Sequence, residues 1–342
     1  MSLTTSKKNI MKLRIIFFAF LTCFFSLSQA QINIGIIGLD TSHATAFTKF
    51  LNGEDKNEEF KDFRIVAAYP YGSKTIKTSY DRIPGYIEQV KGLGVEIVPS
   101  IAELLKKVDC VMLETNDGNL HLEQANEVFK AGKIVFIDKP IGANLAQAIA
   151  IFQLAKEYNV PVFSSSALRY VEQSQKLRNG ELGKVLGADC YSPAHLEPSH
   201  SDLAWYGIHG IETLFTVMGT GCVSVNRMSS EGTDVVVGLW DDGRIGTVRG
   251  ARTGKAPYGG NAVTDQGVVS TGTYGGYEPL LKEILKFFKT RIPPVTEKET
   301  LEIFTFIEAA DISKSKGGKI IPLDATYQKG VKEAQKLIRN LK

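Results

Sequence analysis

Residues 32–51 constrain the fold of this chain more than any other stretch, because they combine a buried strand, a tight turn and a helix. The strand is an unbroken apolar run, which is typical of a parallel sheet covered on both faces. Gly38 follows it, and Thr41 or Ser42 is placed to cap a helix that ends at residues 52–53. This order predicts the first strand, turn and helix of a dinucleotide-binding fold.

The residues of this turn depart from the G-x-G-x-x-G fingerprint of such folds. Only the first glycine, Gly38, is present, and Asp40 and His43 stand at the other two positions. The second glycine normally lets the backbone approach the pyrophosphate, and the third allows close packing of helix and strand. Asp40 would place a carboxylate beside a dianion. The position of the turn indicates a nucleotide fold, whereas its residues argue against ordinary nucleotide binding.

Residues 1–30 have the pattern of a cleaved signal peptide, which predicts a periplasmic or secreted protein. Four basic residues precede the apolar run 15–27, and small residues end the segment. The run is too short to span a bilayer comfortably. Cleavage changes the net charge from +3 to −1, because the segment has four basic and no acidic residues. The mature chain therefore has no basic surplus that would indicate nucleic acid or a membrane surface as a partner.

Three cysteines remain in the mature chain. Cys110 lies in an apolar run and is interpreted as a core residue. Cys190 and Cys222 are free to pair in an oxidising compartment, but their spacing does not decide whether they do.

Strand and helix patterns alternate up to residue 163, which predicts an α/β domain with a doubly wound parallel sheet. The predicted strands after the first are residues 64–68, 95–98, 108–113, 134–137 and 160–163, with helices that include residues 100–107 and 145–158. Short alternating runs follow, at residues 223–228, 235–240 and 245–249. They predict a second, α+β domain with a largely antiparallel sheet, and the Gly-rich segment 253–276 is predicted to be a mobile loop. The expected division is 1–30, 31–163 and 164–342.

Several short motifs occur in an order that resembles the Gfo/Idh/MocA family of sugar and cyclitol oxidoreductases. They are the first strand and turn, Thr115-Asn116 with His121, Asp138-Lys139-Pro140, Gly207-Ile208-His209-Gly210-Ile211-Glu212, and the tail from Pro293 to Gly318. The resemblance covers essentially the whole mature chain. It implies an N-terminal Rossmann domain that holds NAD or NADP, and a second domain whose sheet often mediates homo-oligomerisation.

The resemblance also implies two catalytic residues. Lys139 matches the lysine of the family's E-K-P motif, with Asp138 in place of glutamate. An ammonium at the carboxyl end of a parallel strand can hydrogen-bond a reacting hydroxyl and stabilise the alkoxide as hydride leaves. His209 matches the family's acid or base, and its pKa range suits that role. The family usually carries an aspartate four residues earlier, where this chain has Trp205, a stacking surface for a sugar ring.

The residues expected at the cofactor are taken from the strand ends. No acidic residue follows the second strand to grip ribose hydroxyls, and Ser73 and Lys74 are candidates for a 2′-phosphate, so NAD and NADP both stay open. The full set is Gly38, Asp40, Thr41, Ser42, His43, Ser73, Lys74, Thr115, Asn116, His121 and Asp138.

The leading hypothesis is an exported NAD(P)-binding oxidoreductase that acts on a carbohydrate or cyclitol hydroxyl. Nicotinamide nucleotides are scarce outside the cytoplasm, which favours a tightly held cofactor recycled within one site. One alternative is a lyase or hydrolase without the nucleotide, with or without a metal held by His195, His200, His209 and Glu212. Another is a non-catalytic protein that binds a sugar through Arg169, Tyr170, Trp205 and Tyr206.

Overall fold

Six parallel strands form the first sheet, with helices on both faces. The computed structural model describes residues 31–341, so the predicted signal peptide lies outside the described residues. The strands are β1 (Ile32–Ile37), β2 (Phe63–Tyr69), β3 (Glu96–Ile97), β4 (Cys110–Leu113), β5 (Ile134–Ile137) and β6 (Val162–Phe163). The helices are α1 (Ser42–Asn52), α2 (Lys77–Tyr80), α3 (Ile83–Gly92), α4 (Ile101–Leu105), α5 (Gly118–Lys130) and α6 (Leu145–Glu157).

The strand order of this sheet is β3-β2-β1-β4-β5-β6, and every neighbouring pair is parallel. The order reverses between β1 and β4. In open parallel sheets the carboxyl ends of the strands at this switch point border a ligand crevice. The predicted Rossmann-type sheet is therefore confirmed.

Local capping fixes the helix boundaries that the sequence predicts. The Thr41 hydroxyl accepts the backbone N–H of His43, and α1 ends at Asn52 as expected. Ser100 caps α4 by accepting the N–H of Glu103, but that helix ends two residues before the predicted end.

The second sheet contains seven strands and is largely antiparallel, as predicted. Its order is β12-β11-β7-β10-β9-β8-β13, and only the β7–β10 pair is parallel. The strands are β7 (Val185–Pro193), β8 (Cys222–Ser229), β9 (Thr233–Trp240), β10 (Ile245–Ala251), β11 (Gly259–Thr264), β12 (Gly267–Ser270) and β13 (Ile321–Pro322). The helices of this part are α7 (Glu172–Arg178), α8 (Ile208–Met218), α9 (Glu278–Thr290), α10 (Glu297–Ser315) and α11 (Leu323–Leu341).

One face of this second sheet packs on helices and the other is open. Trp240 and Phe306 are buried on the packed face, where α8 and α10 cover the strands. The open face exposes the apolar residues Leu186, Tyr191, Val223, Met228, Leu239, Ile245, Val263 and Val268.

Two expectations for the second half were wrong or incomplete. The segment 253–276 contains the β11–β12 hairpin and is not simply a loop. Its glycines hid the strand pattern, although Gly260 is required there because a Cβ would lie 2.6 Å from the Asp189 carbonyl oxygen. The amphipathic helix α11, which packs on α6, was missed altogether.

Two further observations concern disulfide pairing and membrane-spanning helices. Cys110, Cys190 and Cys222 are all buried and unpaired. Within residues 31–341, no helix is both long enough and apolar enough to cross a bilayer.

Arg169 is predicted to contact the sugar, but in the structure it connects three parts of the fold. It lies in a short 3-10 helix, Ala167–Tyr170, and only 2% of its surface is exposed. Its Nε lies 2.6 Å from Glu212 on α8, and its Nη1 lies 2.6 Å from Glu299 on α10. The guanidinium thus neutralises two buried carboxylates.

We expect the substitution Arg169→Leu to lower the free energy of unfolding by about 3–5 kcal/mol, because it leaves the buried Glu212 without its counter-charge, whereas Glu299 keeps its ion pair with Arg178. Urea denaturation measures the change. Arg339→Leu, at an exposed site on α11, serves as the control and should shift stability by less than about 0.5 kcal/mol. A tolerated Arg169→Leu would contradict this structural role.

Candidate functional site

A cavity of 330 Å³ lies at the carboxyl ends of β1, β4 and β5 and extends to the second sheet's domain. Its lining combines the N-terminus of α1 with polar and aromatic side chains from both halves of the chain. The lining residues are Thr41, Ser42, His43, Thr78, Arg82, Asn116, Asp138, Lys139, Ser166, Ala167, Leu168, Trp205, Tyr206, His209, Tyr258, Tyr274 and Tyr277. The predicted residues Thr41, Ser42, His43, Asn116, Asp138, Lys139, Trp205, Tyr206 and His209 are therefore brought together.

The turn after β1 borders the cavity. Gly38 in this turn adopts a conformation that few other residues tolerate. Its φ is +91°, and a Cβ there would lie 2.5 Å from the backbone nitrogen of Thr115. The close approach of the β1 and β4 turns leaves the first turn of α1 facing the cavity.

Asp40 does not point into this cavity, which resolves the conflict that the sequence raised. Its Oδ2 accepts the N–H of Ser73, at 3.1 Å, and its Oδ1 accepts the N–H of Asn116, at 3.0 Å. A side chain at Gly72 would overlap the carboxylate. Burial raises the pKa of Asp40 from 3.8 to about 6, although both N–H donors favour the charged form. The Asp40 carboxylate thus joins the turns that follow β1, β2 and β4 through hydrogen bonds.

Lys139 and His209 lie on opposite halves of the chain and face the same cavity. The Lys139 Nζ lies 5.7 Å from the centre of the Tyr206 ring. The His209 Nδ1 lies 2.7 Å from the Ser166 hydroxyl, which also accepts the N–H of Leu168. A neutral hydroxyl, and not a carboxylate, therefore orients the imidazole.

Burial and the positive charges of Lys139 and His43 hold the pKa of His209 well below its usual value of 6.5. The imidazole is consequently neutral at neutral pH. It is able to accept a proton from a ligand at Nε2 when Nδ1 donates to Ser166.

Aromatic rings form the wall of the cavity. Tyr258 packs edge-on against His209, with centroids 5.4 Å apart, and Tyr277 packs against His43 at 4.4 Å. Tyr274 lies between these two tyrosines. Trp205 also lines the cavity, and it lies in the turn before α8, which begins at Ile208.

Six of the predicted site residues, besides Gly38 and Asp40, lie away from the cavity. The Ser73 hydroxyl donates to Asp117, and Lys74 is exposed. Both His121 nitrogens lie near backbone carbonyls, Nε2 at 2.6 Å from Thr115 O and Nδ1 at 3.0 Å from Pro140 O. Thr115, Arg169 and Tyr170 complete the set that does not line the cavity.

The metal ligands considered in the alternative hypothesis do not converge. The His200 Nε2 accepts the N–H of Gly118, and Glu212 is paired with Arg169. Among the described residues, the group with metal-ligand spacing is instead His43, Glu114 and Asp138.

Some lining residues were missed by sequence reasoning. They are Thr78, Arg82, Ser166, Tyr258, Tyr274 and Tyr277. Tyr258 and Tyr274 lie in the Gly-rich segment 253–276, so a count of aromatic residues in that segment would have found these two. Ser166 and Arg82 carry no local signal.

Comparison with known proteins agrees with this architecture. Residues 32–166 match the model of an oxidoreductase family with an NAD-binding Rossmann fold, GFO_IDH_MocA. Residues 32–166 are therefore similar to the NAD-binding domain of the Gfo/Idh/MocA oxidoreductases.

Individual relatives are distant. The chain is 27% identical over 143 residues to inositol 2-dehydrogenase 3 of Saccharopolyspora erythraea, a match that covers 39% of this chain and 42% of the relative. It is 29% identical over 129 residues to 1,5-anhydro-D-fructose reductase of Ensifer adhaerens, covering 36% of this chain and 38% of the relative. The chain therefore spans about two fifths of the length of these curated relatives.

The similarity of fold extends much further than the similarity of sequence. The structure of scyllo-inositol dehydrogenase from Lactobacillus casei, which contains NAD(H) and scyllo-inositol, superposes with a TM-score of 0.69. That match covers 86% of this chain and 99% of the other at 16% identity, and establishes a shared fold.

The cavity fits the dinucleotide that this family's Rossmann domain implies. The first turn of α1 offers backbone N–H groups, of which Thr41 occupies that of His43. Arg82 adds a cation to the lining, and Asn116 adds an amide. A pyrophosphate finds hydrogen-bond donors and positive charge here, and Asp40 is turned away from it.

We expect Asp40→Asn to destabilise the protein by about 1–3 kcal/mol at pH 4.5, because its amide group would face a backbone N–H. The folded pKa of Asp40, about 6, exceeds the unfolded value of 3.8, so the stability that wild-type Asp40 contributes is lost as pH rises through that window. The deficit of the variant should therefore shrink at pH 7.5. Urea titrations at both pH values measure it.

Asp55→Asn, at an exposed site, is the matched control and should behave alike at both pH values. A deficit of Asp40→Asn that does not change with pH would show that the buried carboxyl does not titrate in this range.

Proposed function

We propose that this protein is an NAD(P)-dependent oxidoreductase that acts on a CH–OH group of a cyclitol or sugar-like molecule. One observation carries the proposal: Lys139, His209 and the N-terminus of α1 border a single cavity at the switch point of the parallel sheet. The relatives named for inositol and anhydrofructose support the substrate class.

The shape and lining of the cavity suit such a substrate. Its volume of 330 Å³ lies at the small end of the range for ligand pockets, about 300–1,000 Å³. Trp205 and Tyr206 offer apolar ring faces together with polar edges, which match the faces and hydroxyls of a polyol ring.

The roles of Lys139 and His209 follow from their positions. Lys139 donates a hydrogen bond to the oxygen of the reacting hydroxyl, and so stabilises negative charge that develops on it. His209 accepts the hydroxyl proton at Nε2 while Ser166 holds its Nδ1. NAD or NADP, when bound, supplies the hydride acceptor. The carbinol thus loses a hydride and a proton, and a carbonyl group results.

We expect Lys139→Met and His209→Gln each to lower kcat by about 100-fold or more, the usual contribution of a positioned acid or base. The dissociation constant of the nucleotide should change little, because neither residue supplies the α1 N–H groups. Steady-state assays with inositols and sugars, with NAD and NADP in turn, measure the first quantity, and nucleotide fluorescence measures the second.

Lys130→Met, on the exposed surface of α5, provides the control with wild-type activity. On the acid side of the pH profile, the apparent pKa of kcat/KM should lie below 6.5, because His209 must be neutral to accept the proton and its pKa is lowered. Full activity in both cavity variants would overturn the residue assignments, and absence of nucleotide binding would overturn the redox function.

We also propose that the protein is exported and retains its cofactor through many turnovers. The basic and apolar segment of residues 7–27 supports export. Expression of the full gene in a Gram-negative host should give periplasmic protein whose N-terminus, determined by sequencing, begins at Gln31. Uncleaved cytoplasmic protein would contradict export.

Homo-oligomerisation stays a prediction of the family resemblance. The exposed apolar face of the second sheet, with Leu239, Ile245 and Val268, supports a second copy as its partner.

A further inference from the structure

Three side chains at the base of the cavity bring potential metal ligands together. His43 follows β1, Glu114 follows β4 and Asp138 follows β5. The His43 Nδ1 lies 2.9 Å from Asp138 Oδ2 and 3.9 Å from Glu114 Oε2. One ligand atom from each residue lies within 4.8 Å of the other two.

Glu114 is the member of this cluster that lacks a partner. Glu114 and Asp138 are fully buried, and His43 is 7% exposed. The His43 Nδ1 and the Asp138 Oδ2 face each other at 2.9 Å, whereas neither carboxylate oxygen of Glu114 has a hydrogen-bond partner among the described residues. A buried carboxyl group without a partner is costly. The cluster therefore needs a bound group to satisfy its polar atoms.

We propose that His43, Glu114 and Asp138 bind a divalent first-row transition-metal cation at the base of the cavity. One imidazole nitrogen and two carboxylate oxygens form a donor set that suits Zn²⁺, Mn²⁺ or Fe²⁺. The two carboxylates balance the charge of such an ion. Because His43 and Asp138 line the cavity, the open coordination positions face it, where water or a ligand oxygen completes the shell.

The surroundings hold these ligands in place. The Tyr277 ring packs edge-on against His43, which fixes the plane of the imidazole. The Asp138 Oδ1 accepts the N–H of Lys139, at 2.8 Å, so that Oδ2 stays available. The Lys139 ammonium lies near both carboxylates. Its positive charge repels a cation, and the two carboxylates offset that repulsion.

The site is tested on the full mature chain, stripped with EDTA and titrated with MnCl₂ or ZnCl₂ by calorimetry. We expect one equivalent to bind, and Glu114→Gln to weaken binding at least tenfold. Glu302→Gln is the matched control, because Glu302 is a half-buried carboxylate that accepts backbone N–H groups away from the cluster. Its affinity should equal that of the wild type.

A wild type that binds no more metal than Glu114→Gln would overturn the proposal. Because Glu114→Gln or Asp138→Asn is able to disturb folding, the wild type is also examined with Mn²⁺ by pulsed electron paramagnetic resonance. Coupling to one imidazole ¹⁴N is expected, and its absence would overturn the site. Nucleotide binding is measured separately, so failure of this inference is distinguishable from failure of the oxidoreductase function.

Discussion

The carboxylate of Asp40 is the contact on which the site depends. It joins the turns after β1, β2 and β4 by accepting two backbone N–H groups, and it does so with no exposure to solvent. Backbone hydrogen bonds from Gly38 N–H to Tyr69 O and from Leu39 N–H to Pro70 O also join the first two of these turns. With Asp40 in place, the N-terminus of α1 and the Asn116 backbone keep fixed positions relative to each other. Asp40, at the position of the second fingerprint glycine, thus makes the turn rigid and leaves the lining of the cavity unchanged.

Acidic side chains are concentrated at this edge of the sheet, and neighbouring basic side chains offset their charge. Burial alone would raise the pKa of Asp138, but His43 and Lys139 lower it below the usual value. Burial and the charge of Asp138 instead raise the pKa of Glu114 well above its usual range, which favours its neutral form. The surroundings therefore shift the pKa values of these two neighbouring carboxyl groups in opposite directions.

Features that depend on neighbours in sequence were predictable, and those that depend on distant partners were not. The strand, Gly38, the Thr41 cap and the end of α1 follow from residues 32–53 alone. The same local signals could not reveal that Asp40 faces Ser73 and Asn116, because its partners lie 33 and 76 residues away. Arg169 was placed at a sugar for the same reason, since Glu299 lies 130 residues further along the chain.

The wall formed by Tyr277 has a consequence for the order in which the protein assembles. The hydroxyl groups of Ser42 and Tyr277 lie 3.2 Å apart although 235 residues separate them. Contacts of such long separation form only after the intervening chain has closed, and the entropy of that closure is lost late in folding. This part of the cavity wall therefore forms only when residues 235 positions apart have met. The integrity of the cavity thus depends on contacts between residues that are far apart in the sequence.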